Sequence, residues 1–480
     1  MNRRDLLRGI AALATASTCA PRDALARRLP PSPQERGLRP DVLLILLDDA
    51  SPQRIACYGD PVAQTPHLDA LFASGLRFDA AHCNSPVCNP SRVSLLTGLR
   101  PETTGIHKND TDWREVLPEA LTFPNHFRQQ GYHTVAVGKI NHATFPDPRG
   151  WTQQINPGAG LPGLPRHPGE LRGPGTLHEQ IKASGRLPPN VPLLYGPSGL
   201  QDHEHYDACT ATQYERFLAQ APTDKPLFTA VGFHAPHLPF TAPQAYFDRF
   251  PLASVRVPEN PPGDRDDILH EVRGYTAEEF PPAQAREVLQ AFHATQTFLD
   301  TLIGRVTRAL EASGRADRTI IALTSDHGFM LGEHDMWMKT VFFEECTRVP
   351  LCVRVPWLVP ERAATSSLVE LVDLMPTLTE LAGLPPNPGV DGRSMLPLLR
   401  DPKRAWKKAA IQHFTPTRRS IVDGRWRLSI AGQPDAFELY DRKTDPREFT
   451  NLANDPAHRA ERDRLLHTLE AGWTTCQPDP

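Results

Sequence analysis

Asp41-Val42-Leu43-Leu44-Ile45-Leu46-Leu47-Asp48-Asp49 is an unbroken apolar run closed by two carboxylates. A run of this length without polar alternation fits a strand covered on both faces, as in a parallel sheet. Two adjacent carboxylates are costly to bury without a cation or basic partners. The pair therefore reads either as a strand end facing a hard divalent ion or as a solvated Asp-Asp turn.

Three further segments repeat the pattern. His133–Val137 leads into Gly138-Lys139-Ile140-Asn141-His142. Leu227–Gly232 leads into Phe233-His234-Ala235-Pro236-His237. Thr319–Thr324 leads into Ser325-Asp326-His327-Gly328. Each run is β-rich, and each ends in charged or imidazole groups. Ligands of open α/β sheets bind beyond the carboxyl ends of the strands, so the four ends point to one site. Helical patterns lie between: Pro66 to Ser74, with Thr65 as cap and Gly75 as stop; Phe123 to Gln130, ended by Gly131; and a long amphipathic stretch from Pro282 to Ser313 before Gly314. This alternation indicates a doubly wound α/β domain.

Residues 145–205 are dense in proline and glycine and read as a loop-rich insertion, either beside the site or a passive excursion. Residues 366–400 read as a helix followed by a turn. From about 401 the texture changes to short strands (Ala409 to Phe414, Ser420 to Val422, Trp426 to Ile430, Phe437 to Tyr440) and a helix from Pro456 to Trp473, a small antiparallel sheet with a covering helix. The expected organisation is a leader at 1–26, a linker at 27–39, a large domain at 40–400 and an α+β subdomain at 401–480.

At 480 residues and 39% hydrophobic content the chain has enough apolar material for a large core. A formal charge of −4 argues against nucleic-acid binding. The start, Met1-Asn2-Arg3-Arg4-Asp5-Leu6-Leu7-Arg8, with an apolar run to Ala16 and Ala24-Leu25-Ala26 beyond, has the form of a twin-arginine export signal. The run is too short to span a membrane, and no other span is evident. Export permits disulfides. Cys346 and Cys352 are a possible pair among the eight cysteines, none of which forms a metal-type C-x-x-C.

Cys88-Asn89-Pro90-Ser91-Arg92-Val93-Ser94-Leu95-Leu96-Thr97-Gly98 completes the pattern. Proline suits a first helical turn and glycine a helix stop. Cys88 is therefore expected just before a short helix, at an anion-favouring end, with Arg92 one turn on. The alternative is a buried structural cysteine.

This stretch matches every fixed position of C-x-P-S-R-x-x-x-L-T-G and resembles the type I sulfatases. The resemblance runs from about Asp41 to Leu452. Within the family the details look closest to the iduronate-2-sulfatase type: two residues separate Lys139 and His142, His327 follows Asp326, and Gly232–Phe240 and Ser325–His334, with Trp337 and Lys339, follow its style.

The resemblance implies an alkaline-phosphatase-like sulfatase fold, with a large mostly parallel sheet flanked by helices. It implies that Cys88 is oxidised to formylglycine by a formylglycine-generating enzyme. It also implies one divalent ion on Asp48, Asp49, Asp326, His327 and an oxygen of modified Cys88. Calcium is the expected ion, with magnesium the alternative.

By the same resemblance Arg92, Lys139 and Lys339 neutralise charge on the sulfate and the nucleophile. His234 is the candidate general acid and His142 the candidate base, roles open to exchange. His237 is a candidate pocket residue, and Arg418, Arg419 and basic residues of 145–205 are candidates for a uronate carboxylate. The implied activity is sulfate-ester hydrolysis in an exported, periplasmic or secreted enzyme, on the 2-O-sulfate of a uronic acid in a glycosaminoglycan or related polysaccharide. The rivals are another sugar or small-alcohol sulfate, a phosphodiester or phosphonate hydrolase on the same scaffold, and a non-catalytic carbohydrate-binding protein.

Overall fold

The apolar run that opens the chain's first strand is buried on both faces. Val42 through Leu47 are each no more than 1% exposed. Leu43, Ile45 and Leu47 belong to one core, and Val42, Leu44 and Leu46 to another on the opposite face. Alternation by two along a strand produces this division. A computed structural model describes residues 29–142, 145–158, 195–269, 275–276, 282–433 and 435–478. The expected leader at 1–26 lies outside them.

The strands in chain order are β1 Asp41–Asp48, β2 Leu76–His82, β3 His133–Gly138, β4 Gln153–Ile155, β5 Leu227–Pro236, β6 Tyr275–Thr276, β7 Thr319–Ser325, β8 Met330–Leu331, β9 Met336–Met338, β10 Leu351–Arg354, β11 Ala363–Glu370, β12 Ala410–His413, β13 Arg418–Val422, β14 Trp426–Ala431 and β15 Phe437–Asp441. The main sheet has the order β11-β2-β10-β7-β1-β5-β3-β4. Its pairings are parallel except those of β10, which runs antiparallel to both β2 and β7. β1 lies inside, between β7 and β5, so its carboxyl end is flanked by theirs.

The helix Pro282–Ala312 covers one face, burying Val288, Leu289, Phe292, Phe298, Leu299, Leu302, Ile303, Val306 and Leu310. Helices Phe123–Gln129 and Leu374–Leu381 cover the other. Thr122 caps the former by accepting from the Asn125 N–H. β12 to β15 form an antiparallel meander whose Ile411, Ile421, Leu428 and Leu439 pack on Leu465 and Leu469 of the helix Arg459–Ala471.

Several expectations need correction. Residues 145–205 are not wholly outside the sheet, because Gln153–Ile155 pairs with Val135–Val137 and extends its edge; residues 159–194 of that stretch lie outside the described residues. Residues 366–370 are strand, not helix. Leu368, Val369 and Glu370 pair with Ala80, Ala81 and His82, and the α-helix begins only at Leu374. The edge of β2 offers this segment a ladder, which overrides its helical periodicity.

Thr65 makes no helix cap. Its hydroxyl accepts from Ala56 N–H and donates to Asp69. Cys346 and Cys352 are not bonded; one lies in the short helix Glu344–Thr347 and the other on β10, and both are buried as thiols. The 27–39 stretch, where described, docks on the body, with Gln34 Nε2 donating to Leu381 O and Arg39 to Gln130 O. No helix among the described residues is long and apolar enough to cross a membrane.

Buried charge joins the main sheet to the C-terminal one. Glu370, at the end of β11, pairs with Arg100 and, at 2.7 Å, with Lys407. It also accepts from the Ile411 backbone N–H on β12 and from Asn84, four residues before Cys88. Lys407 also pairs with Asp373 at 2.7 Å. Breaking a buried ion network by removing one partner costs about 3–5 kcal/mol. Lys407→Met is therefore expected to lower the urea and thermal unfolding midpoints by that order, and unchanged midpoints would contradict the network's role.

Candidate active site

Strand ends deliver most of the site. β1 ends at Asp48, and the next residue, Asp49, turns the chain with a left-handed φ of 63°. β7 ends at Ser325, followed by Asp326 and His327. The helix Cys88–Thr97 stands beside them, entirely buried, and its Gly98 takes the left-handed stop conformation. Cys88 is the first residue of this helix rather than the residue before it. Asn109 Oδ1 accepts from the Asn89 backbone N–H at 2.9 Å and so serves one of the first-turn donors.

The acidic groups are concentrated and dry. Asp48, Asp49, Asp326 and His327 are at most 1% exposed. Single ligand atoms of Asp48, Asp49 and Asp326 lie within 4.8 Å of one another, as do those of Cys88, Asp326 and His327. Asp48 Oδ1 and Asp49 Oδ2 are buried without a hydrogen-bond partner. Buried oxygens with no hydrogen-bond donor, in a set dominated by carboxylates, fit a hard divalent cation. His327 Nε2 lies 3.2 Å from Cys88 Sγ, while Nδ1 meets Gly328 O at 2.9 Å.

Three cations answer these anions. Lys139 Nζ pairs with Asp48. Lys339 Nζ lies 2.7 Å from Asp49 Oδ1 and 3.1 Å from Cys88 Sγ. Burial raises the Asp48 pKa, but Lys139, His237, Arg92 and Lys339 together hold it well below the usual carboxylate range. Burial lowers the Lys339 pKa, yet Asp49 and Cys88 lead the groups that carry it well above its ordinary value.

Arg92 is the most enclosed of the three cations. It is 1% exposed and donates to Asp326 Oδ2 at 2.9 Å, to the carbonyls of Lys139 and Ile140 at 3.1 and 2.9 Å, and to Leu47 O at 3.4 Å. Its other ion-pair partner is Asp48 Oδ1 at 3.3 Å. The guanidinium thus braces the carboxylates and two strand ends from a buried position. Its planar fork suits that geometry better than an ammonium would.

A cavity of about 530 Å³ opens over this cluster. Cys88, Lys139, His142, His234, His237 and Lys339 line it, together with Asn109, Asn141, Trp151, Gln154, Asn156 and Tyr206. Burial, with Lys139 and Arg92, pulls the His142 imidazole down to about 4, so it is neutral at physiological pH. His234 and His237 stand edge to face, ring centroids 4.7 Å apart. Asp207, in the first turn of the helix Tyr206–Ala219, accepts from the backbone N–H groups of His234 and Ala235, each at 2.8 Å.

His237 lines the cavity as the sequence suggested, and its ring also approaches Asp49 Oδ2 at 3.7 Å. Arg418 and Arg419 lie on β13 and are not among the described residues lining the cavity. Asp207, Tyr206, Asn109 and Trp151 were not foreseen. An acidic residue in a helix's first turn was a weak signal for Asp207, and Trp151 lies in the 145–205 stretch read as beside the site or a passive excursion; no sequence signal singled out Tyr206 or Asn109.

Residues 40–384 match the Sulfatase family model, and residues 332–473 match one described as N-sulphoglucosamine sulphohydrolase, C-terminal. The chain belongs to the sulfatase family and is a sulfuric ester hydrolase. It is 31% identical over 461 residues to a sulfatase of Formosa agariphila, covering 91% of this chain and 88% of that one. It is 33% identical over 399 residues to iduronate 2-sulfatase of Homo sapiens, covering 72% and 69%. A solved structure described as a complex with its substrate D-glucosamine-2-N,6-O-disulfate shares the fold, with TM-score 0.71, 22% identity, and coverage of 90% and 97%.

An ion bound at 100 times its Kd stabilises a fold by about 2.7 kcal/mol. EDTA is therefore expected to lower the unfolding midpoint of the wild type, and calcium to restore it. Asp48→Asn/Asp49→Asn is expected to lose that response, and a wild-type midpoint indifferent to EDTA would speak against the ion.

Proposed function

We propose that the enzyme removes the 2-O-sulfate of a uronic acid from glycosaminoglycan or other sulfated-polysaccharide fragments, after a formylglycine-generating enzyme has converted Cys88. The observation that carries this reading is the meeting of Cys88, Lys139, His142, His234 and Lys339 in one cavity above three buried carboxylates. Similarity to human iduronate 2-sulfatase supports the uronate part. The twin-arginine pattern at the start of the chain supports export to the periplasm or beyond.

A formylglycine at position 88 supplies a hydrated aldehyde, one hydroxyl of which is the nucleophile. Asp48, Asp49, Asp326 and His327 would hold the divalent ion, calcium in this reading, which would supply Lewis-acid polarisation. The chain's own groups do the rest. Lys139 and Lys339 offset negative charge where the sulfate is seated. His234 gives a proton to the departing sugar oxygen. His142, neutral at working pH, takes the proton whose loss releases sulfate and restores the aldehyde.

The test is free sulfate released from a uronate-2-sulfated disaccharide by protein carrying the aldehyde at position 88, verified by peptide mass. Release is expected from this substrate and not from a 6-O-sulfated glucosamine. Turnover of the glucosamine sulfate alone would discard the uronate, and turnover only of a phosphodiester would discard the sulfate reading. Cys88→Ala is expected to lose on the order of 10⁴-fold or more in kcat.

The pH profile carries its own prediction. His142 must be neutral to accept a proton, and its folded pKa is depressed, so activity persists as pH falls through the ordinary histidine range near 6.5 and declines only toward about 4. His142→Ala is expected to lower kcat about 10²–10⁴-fold and to abolish that acid limb.

A further inference from the structure

We infer that Asp207 is the positioning residue for the acid: its carboxylate replaces a missing strand neighbour and fixes the peptide that carries His234. The inference rests on the reading of His234 as the proton donor to the leaving oxygen.

The sheet register makes the case. β5 pairs with β1 residue by residue up to Gly232 opposite Leu46, and the next pair is Pro236 opposite Asp48. Between those pairs β5 carries Phe233, His234 and Ala235 against Leu47 alone. On the other side, pairing with β3 stops at Gly138 opposite Gly232. The strand thus ends its pairing with β3 and bulges away from β1, rejoining it at Asp48, along the stretch that carries His234. Buried backbone N–H groups need acceptors, and at His234 and Ala235 the ladder offers none.

Asp207 supplies both acceptors. Oδ1 takes the His234 N–H and Oδ2 the Ala235 N–H, each at 2.8 Å. The carboxylate is 7% exposed and sits in the first turn of the helix Tyr206–Ala219, where an anion is favoured. A two-oxygen clamp on successive amides fixes the orientation of the peptide, not only its distance, because each oxygen has a separate donor. The neighbouring turn is closed by His237 N–H donating to His234 O at 2.9 Å, so the clamp reaches both cavity histidines through one rigid segment. Tyr206, adjacent in sequence, lines the cavity itself.

Close packing beneath the clamp leaves the segment no other seat. A Cβ at Gly232 would lie 1.9 Å from Lys139 O. β5 therefore passes in backbone contact with the Lys139 loop immediately before it bends away. The strand is thus held at Gly232 by the Lys139 backbone and at the His234 and Ala235 amides by Asp207.

The experiment compares two leaving groups in protein with confirmed aldehyde. A sugar alkoxide leaves poorly without a proton, whereas 4-nitrophenolate needs none. Asp207→Asn keeps one acceptor and turns the other toward a donor. It is expected to lower kcat on the uronate-2-sulfated disaccharide on the order of 10²-fold. KM for the disaccharide and kcat on 4-nitrophenyl sulfate should change less than about threefold.

His234→Ala is expected to show the same contrast between substrates. Equal losses on both substrates in Asp207→Asn, with the contrast intact in His234→Ala, overturn the positioning role. Equal losses in His234→Ala overturn the acid assignment, and the inference with it. Hydrogen exchange in the wild-type enzyme needs no variant to fold: the amides of His234 and Ala235 are expected to be protected, and exchange at the solvent rate would overturn the clamp.

Discussion

Three buried carboxylates at the ends of two adjacent parallel strands set the terms for everything around them. Asp48 and Asp49 follow β1, and Asp326 follows β7. Like charges this close and this dry repel strongly unless cations answer them. Arg92, Lys139 and Lys339 do so, each from a different part of the chain. The helix Cys88–Thr97 is thereby tied to β7 through Arg92, and the loop after β3 to β1 through Lys139. Removing any cation leaves anions behind, so the cluster acts as one unit and its parts are not additive.

The same constraint explains the division between Arg92 and the two lysines. A guanidinium has five donors in a plane and reaches carboxylates and carbonyls together. Arg92 uses that fork inside the wall, where it is 1% exposed. The ammonium groups of Lys139 and Lys339 are compact and sit at the cavity face. They are the cations of the cluster that line the cavity. The wall is rigid and the face is chemical, which is how a site keeps its geometry while its contents change.

The second organising feature is the departure of β5 from its neighbours. A strand that stays in register has its side chains fixed by the pleat and its amides by the ladder. One that leaves gains freedom to present His234 and His237 together, at the cost of unpaired amides. Asp207 resolves this from a helix that packs on the same strand. The two cavity histidines thus sit where regular pairing is interrupted and a side chain takes over the hydrogen bonding. Irregularities of this kind collect beside active sites and re-aim side chains there.

Much was legible from the chain alone. The unbroken apolar run of β1 indicated a strand buried on both faces, and the strand ends showed the charged and imidazole residues that gather at the cavity. The Cys88 motif indicated a helix start, a stop at Gly98 and the family. These are local matters, decided by periodicity, by proline and glycine conformation, and by which groups follow which strand. The sequence did not reveal β2, β10 and β11, because their residues acquire a strand's environment only from a neighbouring ladder. Nor did it show that Arg92 faces inward, or that Asp207, 27 residues before His234, holds that residue's backbone. Those outcomes depend on which carboxylates, amides and cations end up in the same dry volume, and distance along the chain says nothing of that until the sheet has closed.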